Sequence, residues 1–146
     1  MEKFEEFAFP NLVNLERLHL VANDIKFLSK NHFYSLNNLE YLFLENNDLK
    51  ALNNDTFFYL SNLLNLNLFN NKIEKIENDA FINLIRLTNL DLKNNMIQKL
   101  NKFQFKHLIS LTDLNLDNNN IERIENETFY GLKKLINLNI NDNLIK

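Results

Sequence analysis

Hydrophobic positions along this chain recur every 24 residues, with no insertion or deletion between units. The unit that starts at residue 15 is defined by Leu15, Leu18, Leu20, Asn23, Ile25, Leu28, Phe33 and Leu36. A fixed period of this length is typical of stacked repeats, in which no unit buries its apolar face alone. We therefore predict one domain over 1–146, with a partial repeat 1–14, full repeats 15–38, 39–62, 63–86, 87–110 and 111–134, and a partial repeat 135–146.

Each unit contains a short strand, predicted from the alternation of apolar and polar residues. Leu18 and Leu20 alternate with outward positions such as Arg17 and His19, which gives one buried and one open face. Since each coil brings the chain back beside the previous strand, the strands should stack in parallel at about 4.8 Å. Across the coil, segments such as 54–57 resemble capped helix starts, so brief 3-10 or one-to-two-turn α pieces are expected there.

The composition identifies the residue that turns the chain. Asn and Leu occur 30 and 29 times, whereas Gly and Pro occur once each. Asn tolerates left-handed backbone angles and hydrogen-bonds nearby backbone, so we expect it to replace Gly and Pro at the turns. One Asn per unit follows the strand, and we interpret this column as a buried amide ladder that bonds the backbone of adjacent coils. Its members are Asn23, Asn47, Asn71, Asn95, Asn119 and Asn143.

The spacing resembles the leucine-rich-repeat signature L-x-x-L-x-L-x-x-N-x-L, and the likeness covers essentially the whole chain. The 24-residue length with an added Phe resembles the "typical" subclass, which is common in animal extracellular proteins such as Toll-type receptors and adhesion proteins. The resemblance implies an α/β solenoid, a curved horseshoe with parallel strands on its concave face and short helical turns on its convex face. It also implies a phenylalanine spine. The spine consists of Phe9, Phe33, Phe57, Phe81, Phe105 and Phe129.

In this family the concave face is the usual binding surface, so its outward strand residues are the candidate protein-binding site. They include Arg17, His19, Tyr41, Phe43, Asn65, Asn67, Phe69, Asp91, Asp113 and Asp117. Aromatic residues and Arg are enriched at interface hot spots, which favours the N-terminal half of this face as the contact patch. The alternative is a solvated face, because scattered exposed aromatics are common on protein surfaces.

Other kinds of chemistry find little support in the sequence. A net charge of −3 argues against nucleic acid as a partner, and Cys is absent. The three His occupy different repeat positions, and Gly131 alone cannot form a phosphate loop. We therefore expect no metal, no cofactor and no enzymatic activity. We also expect no direct membrane contact, since no apolar run is long enough to span a bilayer.

Two triplets match the N-glycosylation pattern, Asn54-Asp55-Thr56 and Asn126-Glu127-Thr128, and they slightly favour a secretory protein. The sequence starts and stops within a repeat and has no polar caps. It is therefore expected to be a piece of a longer protein and to self-associate end to end. The favoured function is protein recognition within a cell-surface or secreted receptor or adhesion protein. The alternatives are an intracellular scaffold or regulatory subunit, and the recognition part of an enzyme whose catalytic domain lies elsewhere.

Overall fold

The structure, a computed structural model that describes residues 4–146, is a parallel-strand solenoid. Six strands form one parallel sheet in the order β1-β2-β4-β6-β8-β10. They are β1 Arg17–His19, β2 Tyr41–Phe43, β4 Asn65–Asn67, β6 Asn89–Asp91, β8 Asp113–Asn115 and β10 Asn137–Asn139. Every pair in this sheet is in register at a separation of 24 residues, as Leu42 opposite Leu66 shows. The predicted solenoid and its repeat length are confirmed.

Four shorter strands, which the sequence pattern did not predict, lie on another side of the coils. They are β3 Ala51–Leu52, β5 Lys75–Ile76, β7 Lys99–Leu100 and β9 Arg123–Ile124, paired as β3-β5 and β7-β9. Two residues are too few to show an alternating pattern, so no sequence signal marked them.

Helix is scarce in the described part of the chain, where the segment Lys30–Phe33 forms the single 3-10 helix. Ser29 precedes it, and the Ser29 N–H donates to Nδ1 of His32 at 2.9 Å. The corresponding segments of later coils, such as 54–57, form turns. Here Thr56 donates its hydroxyl to the Asn53 carbonyl at 2.8 Å. A hydroxyl that satisfies a carbonyl three residues earlier stabilises one turn but does not extend it.

The core is a set of stacked columns, one residue from each coil. Leu and Ile of the repeat pattern are almost fully buried from Ile25 to Ile121. The Phe column stacks ring on ring, with centroids 6.4 Å apart for Phe57 and Phe81 and 6.0 Å apart for Phe81 and Phe105. Each coil therefore buries its apolar residues against its two neighbours, as expected of a solenoid.

The Asn column places its amides inside the coil. In the central example, Oδ1 of Asn95 accepts the Ile73 N–H at 3.0 Å, and Nδ2 donates to the Leu68 and Leu92 carbonyls, both at 3.0 Å. Asn47, Asn71, Asn119 and Asn143 make the equivalent bonds. Asn23 differs, because its side chain is exposed and Nδ2 donates to Val21 of its own coil.

A second Asn column turns the backbone. Asn46, Asn70, Asn94 and Asn118 have φ between +53° and +58°, one residue before the ladder Asn. The prediction that Asn supplies the left-handed turns is confirmed for these four coils, whereas Ala22 and Asp142 occupy the same position, also with positive φ, in the first and last coils. Amides of this column also bond one another, since Nδ2 of Asn70 donates to Oδ1 of Asn46 at 2.7 Å.

Candidate functional site: the concave face

The concave face is the outward side of the six-stranded sheet, and strand alternation decides which side chains it displays. In β2, Leu42 is fully buried, whereas Tyr41 and Phe43 on either side of it are half-buried. The same alternation places Asn65 and Asn67 outward in β4. The face therefore carries side chains that the hydrophobic core does not need.

Two stacked pairs occupy the N-terminal part of this face. The Arg17 guanidinium lies 4.2 Å from the centre of the Tyr41 ring. The His19 ring stacks on Phe43 with centroids 4.4 Å apart and an interplanar angle of 13°. Each aromatic ring thus has one face covered from within the chain, by a residue of the preceding strand. Its presence at the surface does not by itself require a ligand.

Outward residues of successive strands form columns 24 residues apart, and several polar residues of the column that contains His19 and Phe43 hydrogen-bond the backbone. The side-chain oxygens of Asn67, Asp91 and Asn115 accept the N–H two residues further on, at 3.0, 2.9 and 3.1 Å. These bonds have the pattern of Asx-turns and stabilise the turn at the end of each strand. Burial raises the pKa of Asp91, and the backbone hydrogen bond from Lys93 opposes the shift. The predicted site residues Asn67 and Asp91 therefore also have a structural role.

The C-terminal part of the face is polar and internally bonded. Asp113 accepts hydrogen bonds from Asn137 and from the Thr112 hydroxyl, and these bonds lower the pKa of Asp113. Oδ1 of Asp117 accepts the Asn141 N–H at 2.7 Å. A depression of about 270 Å³ extends over β4, β6, β8 and β10. It is lined by Asn65, Leu66, Asn67, Asn89, Leu90, Asp91, Asp113, Leu114, Asn115, Asn137 and Asn139.

One residue of this face was not singled out from the sequence. Glu45 lies in the outward column that also contains Phe69, and its Oε2 atom is buried without a hydrogen-bond partner. The pattern of strand positions shows where Glu45 points, but only the packing of its neighbours shows that an oxygen is buried. No sequence signal could have revealed this.

Two family models match the chain. One, described as "BspA type Leucine rich repeat region (6 copies)", matches residues 1–98. The other, described as "Leucine rich repeat", matches residues 85–145. The chain belongs to the leucine-rich-repeat family. Among curated protein sequences, none matches it.

Solved structures of similar fold include receptor and adhesion proteins. A leucine-rich-repeat protein of Leptospira interrogans is 30% identical, with a TM-score of 0.79 over 90% of this chain and 32% of its own. A chain of the octameric complex of Latrophilin 3, Unc5D and FLRT2 is 25% identical, with a TM-score of 0.79. That match covers 92% of this chain and 40% of the other. TLR13 in complex with ssRNA13 is 29% identical, with a TM-score of 0.66. That match covers 90% of this chain and 22% of the TLR13 chain.

This leucine-rich-repeat chain spans less than half the length of each of these structures. The family and the receptor and adhesion complexes support a protein-binding scaffold. Since one neighbour is a complex with RNA, the expectation that nucleic acid is not a partner stays a prediction.

Candidate residues for other chemistry are dispersed over the repeats. His19 lies on the concave face, and buried His32 has Nε2 3.0 Å from the Phe4 carbonyl oxygen. Nε2 of His107 lies 3.1 Å from Oδ1 of Asp79, and this hydrogen bond is the main cause of the lowered Asp79 pKa. Within residues 4–146 no three His, Cys, Asp or Glu side chains are grouped to hold a metal ion, and no helix has the length and apolarity to cross a membrane.

The two glycosylation triplets occupy equivalent places three coils apart. Asn54 and Asn126 are exposed, whereas Thr56 and Thr128 are 1% exposed. Oδ1 of Asn54 accepts the Asp79 N–H at 3.0 Å, and its Nδ2 has no hydrogen bond within residues 4–146. A sugar on Nδ2 would therefore leave the Oδ1 hydrogen bond intact.

Proposed function

We propose that this chain is a non-catalytic protein-recognition scaffold within a cell-surface or secreted receptor or adhesion protein, and that it binds its ligand on the concave face. The observation that carries the proposal is the division of roles along each strand. Inward Leu residues repeat from coil to coil, whereas outward residues differ between coils and are displayed on one continuous sheet. Likeness to the FLRT2-containing complex supports a protein ligand.

A bulky charge in the middle of the concave face tests this proposal. Asn89→Arg adds a long side chain at an exposed position of β6, and Gln98→Arg adds the same charge at an exposed position outside the six-stranded sheet. The unmodified chain and each variant are immobilised and exposed to extracts of the source cells. The proteins that each one retains are then identified by mass spectrometry and compared. We expect a partner retained by the unmodified chain and by Gln98→Arg, and lost with Asn89→Arg. A partner that Asn89→Arg still retains would place binding on another surface.

The compartment is tested by the two glycosylation triplets. Secreted or cell-surface protein isolated from its own cells should lose mass on deglycosylation, and Asn54→Gln with Asn126→Gln should abolish that loss. Unmodified Asn at both positions would favour the alternative of an intracellular scaffold or regulatory subunit. The third possibility, recognition within a larger enzyme, is decided by reading the full-length transcript through both ends of this sequence.

Nucleic acid is the second candidate ligand, favoured by the likeness to the TLR13 complex with ssRNA13. The net charge of −3 opposes it, because phosphate binding depends on a basic surface. We expect no change in fluorescence anisotropy when a labelled single-stranded RNA is titrated with the chain at low salt. Salt-sensitive saturable binding would make RNA the leading ligand.

A further inference from the structure

A carboxylate on the concave face lacks a partner within the chain. Among the side-chain nitrogen and oxygen atoms of residues 4–146, Oε2 of Glu45 is the buried atom without a hydrogen bond. Buried polar atoms in folded proteins are nearly always bonded, so an exception calls for a physical explanation. That oxygen is closed to solvent, so a ligand would reach the carboxylate through Oε1, the other oxygen of a side chain that is half-buried overall. An ionised carboxylate without a donor within the described chain is unfavourable for the fold alone, and a donor from a bound molecule would reduce that cost.

Within residues 4–146, no ion pair joins Glu45 to a cation. The ion pairs of the described coils join other carboxylates, for example Asp48 with Lys72 at 2.6 Å. Within its column Glu45 lies between Val21 and Phe69, as the parallel hydrogen bonds from residues 22 and 46 show. Its neighbours in adjacent coils are therefore apolar.

Two aromatic residues flank this carboxylate. Phe43 precedes Glu45 by two residues and shares its face, and Phe69 occupies the same column one strand away, at about 4.8 Å. Both are half-buried. A guanidinium group suits such surroundings, because its plane stacks on aromatic rings while its N–H groups donate to a carboxylate in pairs. Another column of the same face already holds this chemistry, with Arg17 over Tyr41 at 4.2 Å.

Charge over the rest of the face also favours a cation. The three outward columns from Arg17 to Asn141 contain two cationic and four anionic side chains. These are Arg17 and Lys93, and Glu45, Asp91, Asp113 and Asp117. An excess of carboxylates on one surface attracts positively charged groups and disfavours anionic ligands.

We propose that Glu45, flanked by Phe43 and Phe69, receives an arginine side chain of the protein that binds the concave face. The arginine donates to the Glu45 carboxylate and stacks on the flanking rings. This inference rests on the proposed function and adds the chemistry of the ligand.

The test uses N-acetylargininamide as the probe and the isotope-labelled 146-residue chain, observed by NMR. We expect saturable shifts at the backbone amides of Phe43, Glu45 and Phe69. The neutral isostere N-acetylcitrullinamide should bind at least about tenfold more weakly, because it lacks the charge-assisted hydrogen bonds. N-acetyllysinamide should also bind more weakly, since an ammonium does not stack. Absence of saturable shifts with the arginine probe would overturn the proposal.

Two variants separate a binding role from a structural one. Glu45→Gln should weaken the arginine probe at least about tenfold and leave the thermal midpoint unchanged or raised, because a neutral amide is cheaper to bury than a carboxylate. The control Glu74→Gln changes an exposed carboxylate outside the six-stranded sheet and should alter neither property. Unchanged probe binding by Glu45→Gln, or a lowered midpoint, would show that Glu45 has no such role.

The outcomes also distinguish this inference from the proposed function. If Asn89→Arg abolishes retention of the protein partner while Glu45→Gln does not affect it, the concave face binds protein without an arginine at Glu45. If Asn89→Arg leaves retention unchanged, the proposed function fails, whatever the arginine probe does.

Discussion

Replacing a ladder residue in the middle of the solenoid tests the account of what stabilises the turns. Asn95→Leu changes shape little and removes every hydrogen bond of the amide. The Ile73 N–H then has no partner, because Oδ1 of Asn95 is its acceptor. The Leu68 and Leu92 carbonyls each keep one donor, from Asn71 and Asn119. The Lys93 carbonyl, which shares an Nδ2 hydrogen of Asn95 at 3.3 Å, keeps the Asn70 N–H.

The magnitude follows from this count. An orphaned buried N–H costs about 1–3 kcal/mol, and each of the two hydrogen bonds lost at carbonyls that keep a partner costs about 0.5–1.5 kcal/mol. We therefore expect Asn95→Leu to lower the free energy of unfolding by about 2–6 kcal/mol. Urea denaturation followed by circular dichroism measures the change, provided that the dependence on urea concentration is unaltered.

The chain offers a control in the same column. Asn23 is exposed and its side chain bonds only its own coil, through Nδ2 to the Val21 carbonyl. Asn23→Leu should therefore cost no more than about 0.5–1.5 kcal/mol, the value of one hydrogen bond. If Asn95→Leu and Asn23→Leu cost the same, the inter-coil bonds do not stabilise the fold and the reasoning is wrong.

Other changes test the phenylalanine spine, the turn at Gly131, the half-buried carboxylate of Asp91 and the ends of the solenoid. Phe81→Ala removes a ring stacked on both sides and should cost about 3–5 kcal/mol by urea denaturation, whereas a cost near zero would show that the spine is dispensable. Gly131→Ala should lower the free energy of unfolding by about 1–3 kcal/mol in the same assay, because φ is +99° and a Cβ would lie 2.8 Å from the Lys106 carbonyl oxygen. An unchanged free energy of unfolding would contradict this. Since burial raises the pKa of Asp91, its charged form opposes folding above that pKa. Asp91→Asn, which keeps an acceptor for the Lys93 N–H, should therefore raise the urea midpoint at neutral pH and lose this advantage as the pH falls through the Asp91 pKa; an advantage independent of pH would refute this. The 146-residue chain, expressed alone, exposes Leu138 and Ile145 at one end. Its sedimentation coefficient should therefore rise with protein concentration, and a constant monomer value would contradict end-to-end association.

Features that repeat in every coil could be predicted from the sequence, because the same energetic requirement recurs at the same place. The burial of the Leu columns and the register of 24 residues follow from stacking, and Asn recurs at the left-handed turn of the four central coils. Features of a single coil could not be predicted. The 3-10 helix at Lys30–Phe33 is such a feature. The equivalent segment after Asn101 forms a turn, although the Asn101 N–H donates to Gln104 Oε1 as the Ser29 N–H does to His32 Nδ1.

The candidate site was harder to predict because it depends on contacts between coils that differ from one another. The sequence placed Tyr41 and Phe43 outward, but it could not show that Arg17 and His19 already cover their rings. The unpartnered oxygen of Glu45 depends on how close its neighbours pack, and strand alternation carries no information about that.

Asparagine explains why the concave face cannot be interpreted from residue type alone. Asn95 bonds the core, Asn94 turns the backbone and Asn67 closes a local turn, although all three are the same residue within a few positions of a strand. A side chain bonded to its own backbone is held in one rotamer, and a ligand that needs another rotamer must break that bond, at a net cost of about 0.5–1.5 kcal/mol. A ligand is therefore recognised more favourably by groups without such a bond. On this face, the half-buried carboxylate of Glu45 is such a group, and the internally bonded Asp113 and Asp117 are not.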